Sequence, residues 1–450
     1  MLLSGSPARA IVASVATLAL LILGPSRVAT SDVAIPADQA QAAAGVAEAR
    51  PSTSSGRAEP VEVRGLWVLR ASLTSPESIA SVVRRARASG FNTLFVQVRG
   101  RGEAYYRSAI DPRASDLAGR AAAFDPLAQV IDAAHGAGLR VHAWVNVGLV
   151  ASAANLPDDR THVIYRHPDW LMVPRAIARD LATVDGHSPA YAGKISRWIR
   201  AENDRIEGLF LSPIVPDAAV YTEAIVSELA SRYPIDGVHL DYVRFPNAEF
   251  DYSRFAIAEF RAEIGKTLPR ADRAALDTRA AVDPLAYPDA LQAEWAQFRR
   301  ARLTSLAMRL RNAVKRARPD AMVTAAVVPD VDEAFGERLQ DWRTWIETGI
   351  LDAVCPMAYT TDVSTFVQQV VAARAIAGER GLWAGIGAWR LSPEQTVRHI
   401  ALARKAGAAG LILFSYDSLT GPAQARSDYL DEVARAAFQG AALLPAGSSR

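Results

Sequence analysis

The feature that most constrains the fold is a repeat of about 30 residues in the second half of the chain. Short apolar runs begin at Met322, Asp352, Leu382 and Gly410, so their starts are 30, 30 and 28 residues apart. A helical pattern follows each run, and glycines punctuate the returns. A strand, a helix and a glycine-marked return, repeated several times, predict parallel βα units.

The first half contains four further units of the same kind. We predict strands at residues 64–70, 93–99, 141–148 and from 237, and in the second half at 322–329, 352–359, 382–389 and 410–417. Eight strands with about eight helices indicate an α/β fold, a (β/α)8 TIM barrel. Long insertions follow strands 3 and 4, at residues 150–211 and 246–293. A doubly wound open sheet is the alternative, but no GxGxxG follows an early strand.

The two ends of the chain differ in composition from this barrel. Residues 1–30 contain an apolar run of about a dozen residues after Arg9, which predicts a signal peptide, or an N-terminal anchor if it stays uncleaved. We predict a disordered linker at 31–60, the barrel domain at 61–438 and a flexible tail at 439–450. The protein is therefore expected to be exported to the periplasm or beyond the cell, or tethered to the membrane by its leader.

Composition excludes several partners. The chain has 450 residues, of which 50 are Lys or Arg and 48 are Asp or Glu, so its net charge of +2 does not favour nucleic acid. Cys355 is the only cysteine, which rules out an internal disulfide and a cysteine-based zinc site. We predict no cofactor, no bound metal and no protein partner.

The stretch DGVHLDYVRF at residues 236–245 carries the strongest sign of chemistry. Val238, Leu240 and Val243 suit a buried strand, whereas Asp241 and Arg244 are costly to bury unless they are paired. In a parallel barrel, chemistry takes place at the carboxyl ends of the strands, which we call the mouth. Asp241 is therefore the first candidate catalytic residue, and a purely structural Asp241–Arg244 ion pair is the alternative.

Polar and aromatic residues at the ends of the other predicted strands should converge on the mouth. The predicted substrate contacts are Gln97, Arg99, His142, Trp144, Asn146, His239, Tyr242, Arg244, Tyr359, Trp389 and Tyr416. Carboxyl groups and aromatic faces around a groove suit hydrolysis of a glycosidic bond, in which one carboxyl protonates the leaving oxygen and another attacks or activates water. A metal site built on His142, His239 and Asp241 is the main rival interpretation.

Several motifs resemble one known family. RGLWV at 64–68, FNTLFVQVRGRGEAYY at 91–106, VHAWVN at 141–146, HPDW at 167–170 and DGVHLDYVRFP at 236–246 are similar to the glycosyl-hydrolase-like 10 family. The resemblance implies an exported bacterial TIM-barrel protein. It also implies hydrolysis of a polysaccharide, and specifically of peptidoglycan glycan strands stripped of their peptides. A cell-wall barrel that binds sugar without cutting it is the alternative.

The resemblance assigns a catalytic carboxylate to Asp241 but leaves the second one open. We take Asp330 as the first choice, because its strand is the next one round the mouth, and Glu103 and Asp417 as alternatives. Met357-Ala358-Tyr359 departs from the family's usual glutamine–isoleucine–tyrosine, so contacts with substrate should differ there. We also expect Arg99 and Arg244 to hold Asp241 ionised by lowering the pKa of its carboxyl group.

Overall fold

Eight parallel strands close into a barrel, and this confirms the predicted fold class. The computed structural model describes residues 62–202, 205–422, 424 and 426–438, so the predicted leader, linker and tail lie outside the described residues. The division of the chain into these segments stays a prediction. The strands are β1 (Val63–Val68), β2 (Thr93–Arg99), β3 (Arg140–Asn146), β4 (Leu149–Ala151), β5 (Leu209–Phe210), β6 (Gly237–Asp241), β7 (Met322–Val327), β8 (Ala353–Ala358), β9 (Gly381–Ile386) and β10 (Gly410–Leu413).

Around the barrel the strand order is β1-β10-β9-β8-β7-β6-β3-β2, so neighbours in sequence are neighbours in space apart from β4 and β5. The α-helices are α1 (Pro76–Ala88), α2 (Pro126–Gly136), α3 (Val163–Arg166), α4 (Arg175–Leu181), α5 (Pro189–Ala201), α6 (Pro216–Arg232), α7 (Arg254–Ile264), α8 (Arg270–Ala280), α9 (Ala286–Ala290), α10 (Gln292–Ala317), α11 (Val331–Gly336), α12 (Trp342–Glu347), α13 (Val363–Ala377), α14 (Pro393–Lys405), α15 (Tyr416–Thr420) and α16 (Tyr429–Ala437).

The outer helices begin where the sequence supplies a cap. Ser75 and Ser392 precede α1 and α14, and each forms a capping box with the third helical residue, followed by proline at the first position. Asp125 caps α2 through a hydrogen bond from the backbone N–H of Ala128 (3.1 Å). Because such caps satisfy N–H groups that have no partner inside the helix, they define where each βα unit turns.

The two insertions leave the barrel after β3 and β6 and pack on each other. The first contains the antiparallel pair β4–β5 and helices α3 to α5, and the second contains α7 to α9. Arg175 in α4 pairs with Asp289 in α9 (2.7 Å), and Arg179 pairs with Asp283 (3.0 Å). Both insertions therefore lie at the carboxyl end of the barrel. In the described part of the chain, none of the helices has the length and apolar character needed to cross a bilayer.

Aromatic rings fill the interior of the barrel. Trp67, Phe95, His142, His239 and Trp383 form a continuous cluster, with the Phe95 and His142 rings 4.8 Å apart and those of Phe95 and His239 5.0 Å apart. Glycines on the same strands leave room for these rings. The mouth is thus closed from below by packed side chains, as in other barrels of eight strands.

Candidate active site

Asp241 is the last residue of β6, and its carboxyl group lies at the mouth. It is 8% exposed, and its neighbour across the β3–β6 pairing is Asn146. Oδ2 accepts a hydrogen bond from Nε1 of Trp144 (3.0 Å), and Oδ1 accepts one from the backbone N–H of Tyr242 (2.7 Å). Two fixed donors therefore orient both carboxyl oxygens.

Tyr242 adopts a backbone conformation that few residues other than glycine use. Its φ is +50°, and its carbonyl accepts a hydrogen bond from the backbone N–H of Gly148 (3.1 Å). This turn ends β6 directly after Asp241 and aims the Tyr242 N–H at the carboxylate. Unfavourable backbone conformations of this kind are most often retained where function requires them.

Burial raises the pKa of Asp241 to about 6, and this outweighs the lowering by the Tyr242 N–H, Arg244 and Trp144. The structure differs here from our expectation of a lowered pKa. Arg99 does not form an ion pair with Asp241. Its Nε lies 2.6 Å from Oδ2 of Asp111, and both of these side chains are fully buried. Arg244 turns instead to Glu207, with Nη2 2.5 Å from Oε1.

Glu207 is a residue of this site that the sequence analysis missed. It lies at the end of the first insertion, just before β5, and its side chain is 10% exposed. Oε2 is buried and has no hydrogen-bond partner among the described residues. The charge of Glu207 contributes to the raised pKa of both Asp241 and Tyr242. The sequence gives one sign of Glu207, because it is an acidic residue directly before the apolar run that starts at Gly208.

The three candidates for a second carboxyl group differ in their surroundings. Asp330 is exposed and caps α11, where its Oδ1 accepts the backbone N–H of Glu333 (2.9 Å). Asp417 lies in α15, beyond the end of β10, and accepts bonds from the Leu69 N–H (2.7 Å) and the Ser72 hydroxyl (2.6 Å). Both carboxyl groups are thus engaged by backbone or hydroxyl donors that shape loops, but Asp417 is half-buried, and burial raises its pKa.

Glu103 has the surroundings that a general acid needs. It is half-buried in the loop after β2, and burial followed by the charge of Asp116 raises the pKa of its carboxyl group. Glu103 follows β2 at the carboxyl end of the barrel and is less exposed than Asp330. We therefore favour Glu103 as the second carboxyl group and keep Asp417 as the alternative.

A polar chain connects the loops after β1, β2 and β3 at the mouth. Nη1 of Arg70 donates to Oε1 of Gln97 (2.9 Å), and Nε2 of Gln97 lies 3.4 Å from Oδ1 of Asn146. Nδ2 of Asn146 donates to the carbonyl of Gly100 (2.7 Å). A Cβ at Gly100 would lie 2.6 Å from Nη1 of Arg70, so glycine permits this close approach. Asn146 is thus the cross-strand neighbour of Asp241, and Gln97 lies next to Asn146.

Aromatic side chains line the opposite part of the mouth. The rings of Tyr359 and Trp389 are 5.1 Å apart, and each also contacts Phe414, with ring centroids 5.5 and 5.4 Å from it. Trp389 is half-buried, whereas Tyr359 and Tyr416 are 8% and 7% exposed. Trp389 is therefore more accessible to a sugar than Tyr359 or Tyr416.

His142 and His239 lie deeper than the other predicted contacts. Nε2 of His239 accepts the indole N–H of Trp67 (3.2 Å), and Nδ1 is 2.9 Å from the Thr324 hydroxyl. Burial lowers the pKa of His142 to about 4 and that of His239 well below its usual range. Both imidazoles are therefore neutral and belong to the packed interior. No group of three His, Cys, Asp or Glu side chains that could hold a metal ion occurs in the described residues.

The fold places the protein among the (β/α)8 barrels. Glycoside hydrolases of known structure share this fold. The glycoside hydrolase domain of PgaB (BpsB) from Bordetella bronchiseptica aligns with a TM-score of 0.55 and 19% identity, over 83% of this chain and 99% of that one. Gan42B, a GH42 β-galactosidase from G. stearothermophilus, aligns with a TM-score of 0.55 and 15% identity, over 84% and 56%.

The sequence comparisons are more specific. The model of the family glycosyl hydrolase-like 10 matches residues 62–380, and the chain belongs to this family. Glycosyl hydrolase DigH of Escherichia coli (strain K12) is 26% identical over 335 residues, 69% of this chain and 67% of the relative. Glycosyl hydrolase YngK of Bacillus subtilis (strain 168) is 26% identical over 164 residues, 35% of this chain and 26% of the relative. The protein is thus a glycoside hydrolase and acts on a carbohydrate.

Proposed function

We propose that this glycoside hydrolase is exported and cleaves glycosidic bonds within a polysaccharide, with Asp241 as one of two catalytic carboxyl groups. The observation that carries the proposal is the buried Asp241 carboxyl group at the carboxyl end of β6, oriented by Trp144 and by the Tyr242 N–H. A carboxyl group at this position in a barrel lies where substrates bind.

Asp241 takes the role that requires an ionised group, as nucleophile or as base toward water. Two N–H donors point at its oxygens and favour the carboxylate, and its pKa of about 6 lies near neutral pH. A base whose pKa is close to the working pH combines a large ionised fraction with a strong affinity for the proton. Glu103 takes the complementary role and protonates the leaving glycosidic oxygen, because its raised pKa retains a proton more readily than an exposed glutamate would.

We propose peptidoglycan glycan strands as the substrate. The motifs at 91–106 and 236–246 support this choice, because they resemble a family whose characterised activity is cleavage of peptide-free glycan strands. The predicted leader at 1–30 supports export to the compartment where that polymer occurs. Trp389 and Tyr359 would then meet the apolar faces of successive sugars at the mouth.

Release of reducing ends from purified glycan strands tests this function. The wild-type protein should release them, and Asp241→Asn should lower kcat by at least about 100-fold with little change in KM. Asp332→Asn, an exposed carboxyl in α11, is the matched control and should keep full activity. A folded Asp241→Asn protein with wild-type activity would disprove the assignment of Asp241. An inactive wild-type protein would disprove peptidoglycan glycan as the substrate.

A further inference from the structure

The second insertion contains a cleft that is separate from the Asp241 site. It has a volume of about 650 Å³ and lies between α7, α8 and the start of α9. Small-molecule and cofactor sites commonly have volumes of 300–1,000 Å³, so the cleft is large enough for a ligand. None of the residues that line it belongs to the mouth described above.

The lining of the cleft is strongly basic. Its charged residues are Arg254, Arg261, Lys266, Arg273 and Asp277, which give a net charge of +3. The whole chain carries only +2, from 50 basic and 48 acidic residues. Glu259, Glu263 and Asp272 lie on the same helices but outside the lining, so the excess of positive charge is confined to the cleft itself. A concave basic surface attracts anions.

The one acidic residue of the cleft is already engaged. Asp277 accepts the hydroxyl of Tyr287 (2.7 Å) and pairs with Arg261 (2.8 Å). Among the residues that the structure describes, Arg273 donates only to the carbonyl of Gly265 (3.3 Å). Within the described part of the chain, Lys266 and Arg273 form no ion pair, and both are exposed. Two cations in the cleft are thus available to a ligand.

The cleft is on the same side of the barrel as the catalytic carboxyl group. The second insertion leaves the barrel after β6, the strand that ends at Asp241, and it packs on the first insertion through Arg175 and Asp289. The insertion that follows the catalytic strand therefore also carries the cleft.

We propose that this cleft is a second glycan-binding site, which holds a carboxylate-bearing stretch of polysaccharide outside the mouth. The proposal rests on the proposed polysaccharide substrate. Carboxylates that follow one another along a sugar chain would pair with Lys266 and Arg273, while the chain lies against the apolar side chains of α7. Lysine and arginine are the groups that recognise carboxylates in proteins.

Binding without turnover tests this site. The full chain with Asp241→Asn is titrated calorimetrically with oligogalacturonate, in which every sugar bears a carboxylate, and with neutral dextran oligomers of the same length. Lys266→Glu with Arg273→Glu should weaken oligogalacturonate binding roughly tenfold. The control, Arg84→Glu with Arg87→Glu on α1, makes the same change in net charge at exposed residues and should change binding less than about twofold.

Three outcomes of this titration would contradict the proposal. Equal weakening in both double variants would show a general charge effect, and equal binding of dextran would show that carboxylates are not recognised. Single-stranded DNA that binds as tightly as oligogalacturonate, and is weakened by the same variant, would show a site for any polyanion. If the glutamate variant does not fold, Lys266→Gln with Arg273→Gln replaces it. Because no bond is cut here, the result is independent of the reducing-end assay.

Discussion

Replacing Asp241 by asparagine should stabilise the protein at high pH while it abolishes activity. The pKa of Asp241 is about 6 in the folded state, against about 3.9 for an aspartate in an unfolded chain. The folded state thus binds the proton of Asp241 more tightly than the unfolded state does. The contribution of this proton to the free energy of unfolding is full below pH 4 and is lost as the pH rises through 6. A difference of two pKa units corresponds to about 3 kcal/mol in the free energy of unfolding.

Asparagine resembles the protonated carboxyl group, so the variant avoids this loss. The asparagine amide has one acceptor oxygen, which cannot accept hydrogen bonds from both Trp144 and the Tyr242 N–H. The lost hydrogen bond lowers the free energy of unfolding by about 1 kcal/mol at every pH. We therefore expect Asp241→Asn to be less stable than wild type by about 0.5 kcal/mol at pH 4 and more stable by about 2 kcal/mol at pH 8.

Urea unfolding at pH 4, 6 and 8 measures this difference, with Asp332→Asn as the exposed control whose effect should not depend on pH. A difference between variant and wild type that is the same at pH 4 and pH 8 would refute the reasoning. It would mean that burial does not raise the pKa of Asp241 in the folded protein.

Three further substitutions test neighbouring features. Glu103→Gln should lower kcat by about 10²–10⁴-fold with little change in KM, and an unchanged kcat would exclude Glu103 as the acid. Glu207→Gln leaves the buried Arg244 without its counter-charge. It should destabilise the protein by up to about 3–5 kcal/mol and lower the pKa of Asp241, so the acidic limb of the pH profile of kcat/KM should move to lower pH. An unmoved limb would show that Glu207 has only a structural role. Gly237→Ala should cost about 1–3 kcal/mol in urea unfolding, because the new Cβ would lie 2.5 Å from Nδ1 of His142 and 2.8 Å from a backbone oxygen; unchanged stability would contradict the close packing of the barrel interior.

The fold could be predicted because its signals are local. The period of the apolar runs places most strand ends within two or three residues of the observed ones, as for β2 and β8. The last strand is an exception. We predicted 410–417, but β10 ends at Leu413 because Ser415 caps α15 and turns the chain into a helix.

The site could be predicted only in part, because charge pairing is not local. Arg244 is three residues from Asp241 in sequence, which suggested a lowered pKa, yet its guanidinium faces Glu207 from a distant insertion. Likewise Arg99 forms its ion pair with Asp111 and not with Asp241. Strand order indicates which residues reach the mouth, but it does not show which direction each long side chain takes.

The contacts of Asp417 have a consequence for how the protein matures. β10 pairs with β1, and Asp417, just beyond β10, fixes the loop at Leu69 and Ser72 that carries Arg70 to the mouth. The loop after the first strand of the barrel is therefore held by a residue that follows the last strand. A nascent chain that stops short of residue 417 lacks these two hydrogen bonds, so the catalytic groove is complete only when the first and last βα units have met.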